Sequence, residues 1–491
     1  MFVTISILLL IFTIFYTWYV KKKYSYWEER GVPNPKPSLI LGNIGKMITW
    51  QRTLTDFFKD VYREYEGYSY VGIYNCLTPA VVLRDPDLIS DLLIRNFDSF
   101  TDTMIEIADP IASIHPGFVE RDRWKTLRRE MVGNLTKTKI KGMLVHIEKV
   151  CEEMLEYLKR KNYCVKATDL SFKFTGDNVM ACAYGLDGKS FITGTSLMEQ
   201  IRDEMSMSTK IGSLFHTSGL FFPKLCKLFQ ISYLGKQVPD KFKELIAMVV
   251  TYREDSTYAY NDFANFLKES KQKNDDNYFG YAMSFFLDGF ETSGYALIYT
   301  LLEVTRNPIV QETARKEVEV TLKTHNTVHS YEALKSMVYL DSIIHETVRK
   351  HTVIKFINRK CTKDFVLPAP RAGHGKPVTI TKGTHIFVPI EAIHRDEKYF
   401  PNSSKFDPNR FFDEHIMESR PKNAYLGFGD GPRVCLGKKF AVVQMKMILV
   451  TLLLNFTLKI HEKTVFPLGK EFYHLSKSPK GDIWIEFLPR S

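Results

Sequence analysis

The stretch Phe428-Gly429-Asp430-Gly431-Pro432-Arg433-Val434-Cys435-Leu436-Gly437, followed by an apolar helical pattern from Phe440 to Leu454, decides how the chain is read. Glycines at 429, 431 and 437 let the backbone turn tightly around one sulfur and present N–H groups to it. The following helix offers its positive amino-terminal end. Such a setting favours thiolate. A thiolate held this way acts as a nucleophile or as a metal ligand, and spacing alone leaves both open.

A cysteine hydrolase would need a general base aimed at Cys435, and no histidine partner stands out. The other cysteines are Cys76, Cys151, Cys164, Cys182, Cys226 and Cys361. Seven is an odd number, the positions are scattered, and no Cys-x-x-Cys pair occurs, which argues against a disulfide scaffold or zinc ribbon. With 44% hydrophobic and 25% charged residues among 491, disorder and fibrous repeats are excluded. The formal charge of +11 suits a partner with an acidic face or an anionic membrane surface, and is mild for a nucleic-acid binder.

Residues 1–20 carry no charge and are rich in Ile, Leu and Phe, with Trp18 and Tyr19 at the far end. At about 1.5 Å per residue they span a bilayer core as one transmembrane helix. Lys21, Lys22 and Lys23 follow, which places the remaining chain on the cytoplasmic side. Residues 21–45 form a basic and Pro-rich linker that includes Pro33, Pro35 and Pro37. Residues 46–491, without repeats or a second linker, form one large body.

That body reads as mainly α with small β-sheets near both ends. Strand patterns occur at Tyr68 to Ile73, Ala80 to Leu83, Lys355 to Val366, Val378 to Ile380, His385 to Pro389 and Asp482 to Phe487. The segment from Asn277 to Asn307 is apolar nearly all round, so it crosses the centre of the body. Asp288 and Glu291 in its middle place two acids next to a site.

The pattern Phe-x-x-Gly-x-Arg-x-Cys-x-Gly resembles the signature of haem-thiolate monooxygenases, the cytochrome P450 family. Five fixed identities, the rare cysteine among them, make the motif specific. The resemblance implies that Cys435 is the axial ligand of haem b, that Phe428 packs near the sulfur, and that Arg433 reaches a haem propionate. Gly437 belongs to the same cofactor-binding loop. Glu346 and Arg349 resemble the family's Glu-x-x-Arg, and Phe406-Asp407-Pro408-Asn409-Arg410-Phe411 its Pro-x-Arg-Phe segment. Arg410 would complete a buried network behind the haem. The same spacing at Glu120/Arg123, Glu303/Arg306 and Glu312/Arg315 reads as exposed ion pairs worth under about 1 kcal/mol.

Trp124 and Arg128 sit one helical turn apart, and both donate hydrogen bonds, as a buried propionate requires. Arg359 is a third candidate donor. Asp288-Gly289-Phe290-Glu291-Thr292-Ser293 resembles the family's oxygen-activation motif. Reductive cleavage of dioxygen consumes two protons, so Thr292 would supply a hydroxyl and Glu291 a relay. The family normally has Ala or Gly where Asp288 stands. Four positions before Thr292, its carboxylate should face the haem, and desolvation there raises a carboxyl pKa or calls for a cation. The usual proline pair after Glu-x-x-Arg is replaced by His351-Thr352-Val353-Ile354, where a substrate-contact loop is expected. Asn409 and Glu397 are smaller departures.

Within the family the chain looks most like the microsomal enzymes of insects, on stretches such as Tyr70 to Tyr74, Asp85 to Ile89 and Ala183 to Asp187. The resemblance implies an endoplasmic reticulum location and electrons from NADPH through a flavoprotein reductase, with cytochrome b5 as a further partner. Lys438 and Lys439 would meet the reductase's acidic face, and ordinary solvated lysines are the alternative. The implied substrate is a small apolar molecule, a xenobiotic or an endogenous lipid or hormone. Aromatic and Met-rich stretches from Met205 to Phe222 and from Phe285 to Phe290 suit an apolar ligand and core packing alike. Two other readings are a reductase-independent haem-thiolate isomerase or dehydratase, against which Glu291 and Thr292 argue, and a catalytically silent haem or ligand carrier.

Overall fold

A computed structural model describes residues 2–49, 51–104, 112–194, 197–205, 222–229, 238–254, 263–272, 277–470 and 479–490. Most of the stretch from Met205 to Phe222, one of the aromatic and Met-rich patches, lies outside them.

Helix α1 covers Phe2–Tyr24 and continues through the three lysines. It is long and apolar enough to cross a membrane, and nearly all of it is exposed. The Pro-rich segment after it is docked against the body rather than free. Trp27 is fully buried, and its indole N–H donates to Ile73 O at 3.0 Å. A Cβ on Gly72 would lie 2.5 Å from that indole, so glycine makes the slot. Gly72 N–H donates to Pro33 O at 2.9 Å and Asn43 Nδ2 to Pro35 O at 3.0 Å, which fastens the segment along β1.

Strands β1 (Tyr70–Asn75) and β2 (Thr78–Leu83) form a hairpin. Helices α2 (Leu54–Glu64), α3 (Arg121–Val132), α4 (Lys137–Arg160) and α5 (Ala167–Val179) lie around and after it, with the short β3 (Cys164–Lys166) between the last two. The central helix, α6, is built of three consecutive pieces: Asn277–Ser284, a π-helical turn at Phe285–Glu291, and Thr292–Arg306. Its last piece is buried from Ser293 to Thr305, as a helix without a polar face must be. Phe172 on α5 holds it edge-on through Phe290 at 5.6 Å and Tyr295 at 5.3 Å between ring centroids.

Helices α7 (Pro308–His325), α8 (Val338–Lys350) and α9 (Lys438–Asn455) complete the body. The expected single strand run at Lys355 to Val366 is two strands, β4 (Ile357–Lys360) and β5 (Phe365–Leu367), in different sheets. The break comes at Cys361, whose thiol donates back to Lys363 O. With β6 (Val378–Ile380) and β7 (His385–Val388), the sheets are β1-β2-β7-β4, in which β2 and β7 run parallel, and β5-β6. A third sheet joins β3 to β11 (Trp484–Pro489) and β8 (Phe456–Ile460), and β9 (Gly469–Lys470) pairs with β10 (Pro479–Lys480). The sequence reading includes neither β3 nor β8: β3 is only three residues, and the alternation of Phe456, Leu458 and Ile460 with polar residues in β8 follows α9 without a Gly or Pro break to mark its start.

Two of the ion pairs expected at the surface are interior. Glu303 is 2% exposed and pairs with Lys350 at 2.9 Å and His351 at 2.6 Å, not with Arg306. Burial alone would raise its carboxyl pKa, but the two cations hold it down at about 2. Arg315 is buried too: besides Glu312 at 2.6 Å it donates to Leu453 O and Phe456 O, tying α7 to the end of α9. Arg123 donates to Asn277 at 2.8 Å.

Candidate active site

The cysteine loop is closed by its own backbone. Cys435 N–H donates to Phe428 O at 2.8 Å, and Val434 N–H to Gly431 O at 2.9 Å. Gly429 and Gly431 take φ of +73° and +70°, a region costly for other residues. A Cβ on Gly431 would also strike Leu93 O at 2.1 Å. Gly437 departs from the tight-turn expectation: its φ is an ordinary −83° and a Cβ there would meet nothing within 4 Å. It caps α9, which leads away from the sulfur.

The Cys435 sulfur fronts open space yet lies deep in the body. The thiolate expectation is reversed for the protein by itself: burial and then the Asp288 carboxylate push the thiol up to about 11, against the Gly437 and Lys438 amides and Arg128, which pull it down. A thiol in that position releases its proton when a metal ion takes the sulfur. Phe428 lies edge-on to His345 at 5.7 Å, and Lys438 Nζ stands 5.3 Å from the Phe428 ring. His345, buried among rings and near Lys438, is held neutral with its pKa lowered to about 4.

Three arginines converge on this loop. Arg128 donates to Val434 O at 2.8 Å and Arg433 to Val119 O at 3.2 Å, while Arg433 stacks over Trp124 at 4.4 Å. Arg359 is buried and donates to Asn358 O at 2.7 Å. Burial, then repulsion from Arg359 and Arg128, lowers the Arg433 pKa to about 9, and burial lowers that of Arg359 to about 10. The Nε atoms of both are buried without a hydrogen-bond partner. Such a cluster costs free energy until an anion compensates it.

The described part of α6 presents its chemistry at the π turn, a local widening common at functional sites. Thr292 Oγ1 donates to the Asp288 carbonyl, capping a group that the π turn displaces. Tyr295 OH donates to Glu291 at 3.2 Å, and Glu291 is half-buried. The Asp288 carboxylate lies close enough to Cys435 to push the thiol's pKa upward. Its neighbour is His115, a residue without a sequence signal, at 3.4 Å.

Behind the loop stands the carboxylate-guanidinium network. Glu346 and Arg349 are fully buried, with Arg349 Nε donating to Glu346 Oε2 at 2.7 Å. Arg410 Nε lies 3.4 Å from Glu346 Oε1, and Asp407 N–H donates to that oxygen at 2.9 Å. Arg349 also donates to the carbonyls of His394 and Ser403. Every side chain has partners, so loss of one would leave a buried charge, at about 3–5 kcal/mol. His394 accepts from Leu426 N–H at 2.9 Å, which joins the network to the start of the cysteine loop. His351 does not face the cavity of the cysteine: it pairs with Glu303 and stacks on Tyr299 at 4.3 Å. A separate cleft of about 930 Å³, lined by Lys59, Arg84, Glu391 and Arg395 among others, shares no residue with the cysteine loop.

The residues fit the haem group that the signature implies. A soft sulfur ligand sits at the floor, and unpaired guanidinium N–H groups beside Trp124 suit a pair of carboxylates. Comparison with known proteins agrees. Residues 32–485 match the family described as Cytochrome P450. Similar curated proteins include "Probable cytochrome P450 28a5" of Drosophila melanogaster, 31% identical, covering 94% of this chain and 95% of that protein. "Cytochrome P450 6a2" of the same organism is 30% identical, with 95% and 96% covered. "Cytochrome P450 6j1" of Blattella germanica is 26% identical, with 95% and 92% covered. Cysteine loop, arginine cluster, buried network and whole-length similarity together place this chain in the cytochrome P450 family.

Proposed function

We propose that the chain inserts one atom of dioxygen into a small apolar organic molecule, a xenobiotic or an endogenous lipid or hormone, with NADPH-derived electrons passed on by a membrane flavoprotein reductase. Enzymes of this family are haem-thiolate monooxygenases that bind haem b. When bound, the haem supplies the redox chemistry that activates oxygen. Cys435 would hold the iron through its thiolate, and Phe428, whose carbonyl takes the Cys435 N–H, would fix the sulfur's position. Arg433, Arg359 and Arg128, with Trp124, would hold the propionates, and Gly437 leaves the floor beside the sulfur free of a side chain. The observation that carries this reading is the pair of orphaned guanidinium nitrogens beside a cavity floored by one cysteine.

Proton movement falls to α6. Thr292, whose hydroxyl already bonds the Asp288 carbonyl, can turn that hydroxyl toward the cavity, and Glu291, linked to Tyr295, would recharge it. Neither an isomerase nor a silent carrier needs this arrangement. The docked segment after α1 would hold the catalytic body at the cytoplasmic face of the endoplasmic reticulum, in the same membrane as the reductase, with Lys438 and Lys439 on its acidic face and cytochrome b5 as a second donor. Product that forms from an apolar substrate only when NADPH and reductase are both present is the expected result. Conversion of an organic peroxide without reductase and no NADPH-dependent product would favour the isomerase reading, and no conversion of either would favour a carrier.

A further inference from the structure

Between Tyr281 and Thr305, all of it described, Asp288 is the one exposed residue. Its neighbours on α6 are apolar and turned inward: Phe285, Phe286 and Phe290 are buried in the core. The carboxylate therefore stands out beside a mostly apolar stretch of α6, with Glu291 and Thr292 on the next turn, and lies near the Cys435 sulfur.

Among the described residues, its close polar partner is well defined. His115 is 3% accessible, and Gly117 N–H donates to its Nδ1 at 2.9 Å. Nδ1 is thus the acceptor, and the ring proton sits on Nε2. Nε2 lies 3.4 Å from Asp288 Oδ2 and has no hydrogen-bond partner elsewhere. The ring rests on Phe118 at 4.8 Å, so it cannot move closer without losing that contact. At that length the histidine orients the carboxylate and leaves most of its acceptor capacity free. Among the described residues, the guanidinium groups near the cysteine loop are engaged at the other end, Arg128 with Val434 O and Arg433 with Val119 O, and no Lys or Arg pairs with Asp288. A carboxylate on an apolar wall is stabilised most by a cation that brings its own apolar body.

We propose that Asp288 is a specificity-determining residue that binds the ammonium group of an apolar amine substrate, with His115 as the positioning residue that aims the carboxylate. This rests on the oxygen-insertion reading and names the substrate class for it. Residue 288 fixes one end of the amine, and the carbons near the nitrogen come to the reacting centre.

The test is a spectral titration of the haem-loaded full-length enzyme with two probes of one shape, 4-phenyl-N,N-dimethylbutan-1-amine and its carbon isostere (5-methylhexyl)benzene. The wild type should bind the amine at least about tenfold more tightly, which is about 1.4 kcal/mol. Asp288→Asn and Asp288→Ala should each abolish the preference and leave the isostere's Kd within about twofold, while His115→Phe should reduce it in part. Equal binding of both probes by the wild type, binding of neither, equal loss of both in the variants, or a red-shifted Soret band showing nitrogen on the metal would overturn the proposal. Failure of the broader reading looks different: the amine preference would stand, but neither probe would be oxidised with NADPH and reductase.

Discussion

At the scale of single residues, the site is a balance of unpaid charges. Arg433 and Arg359 each bury a guanidinium nitrogen without a partner, and the charge on Arg359 adds to burial in lowering the Arg433 pKa. In this account an anionic group with two carboxylates relieves both. Arg433→Met should therefore release haem to a globin acceptor about 10–100-fold faster than the wild type, the loss of one charge-assisted hydrogen bond. An unchanged release rate would remove Arg433 from the propionate role. Cys435 and the glycine pattern were legible in the sequence because a rare residue in a fixed frame carries its own signal. His115 was not: nothing around it in the chain announces a partner 173 positions away, and only folding brings its Nε2 to Asp288.

At the scale of elements, periodicity located the helices and missed what joins them. The pattern from Asn277 to Asn307 predicts a buried helix, and α6 is one, but the π turn at Phe285–Glu291 leaves no mark in a hydrophobic count. The Glu303 pairing was misread for a related reason. Spacing of i, i+3 offers Arg306, while the tertiary fold supplies Lys350 and His351 instead. Interior groups of this kind set the acid limit of the fold. Folded Glu303 has a pKa of about 2 against 4.5 unfolded, so its stabilisation is present above 4.5 and is lost as pH falls toward 2. His394, held neutral by burial and Arg349 with a pKa of about 3 against 6.5, acts earlier: the unfolded chain takes the proton first, and stability is lost as pH falls from 6.5 toward 3. The unfolding free energy from urea titrations should drop steadily between pH 7 and pH 4, by about 3 kcal/mol. His394→Gln, which keeps an acceptor for Leu426 N–H, should flatten the upper part of that slope. A wild type equally stable at pH 7 and pH 4 would contradict the assignment.

At the scale of the whole molecule, the sequence foretold a mainly helical body with small sheets and an apolar helix at its start, and the structure has both. It did not foretell that the Pro-rich segment is part of the body. Proline content speaks for stiffness, but Trp27 in its slot against β1 is a long-range contact that local composition cannot encode. The consequence is mechanical: α1 and the catalytic body are joined by a fastened strap. The charge of +11 and the exposed apolar helix suit an anionic membrane surface. All of these features gain their meaning from the sulfur at the cavity floor. The most direct measurement is the absorption spectrum of the dithionite-reduced, carbon monoxide-treated protein and of its Cys435→His variant. A strongly red-shifted Soret band, the mark of thiolate ligation, is expected, and Cys435→His should move it to the shorter wavelength of imidazole ligation. A wild-type band already at the imidazole position, or one that Cys435→His leaves in place, would contradict the account.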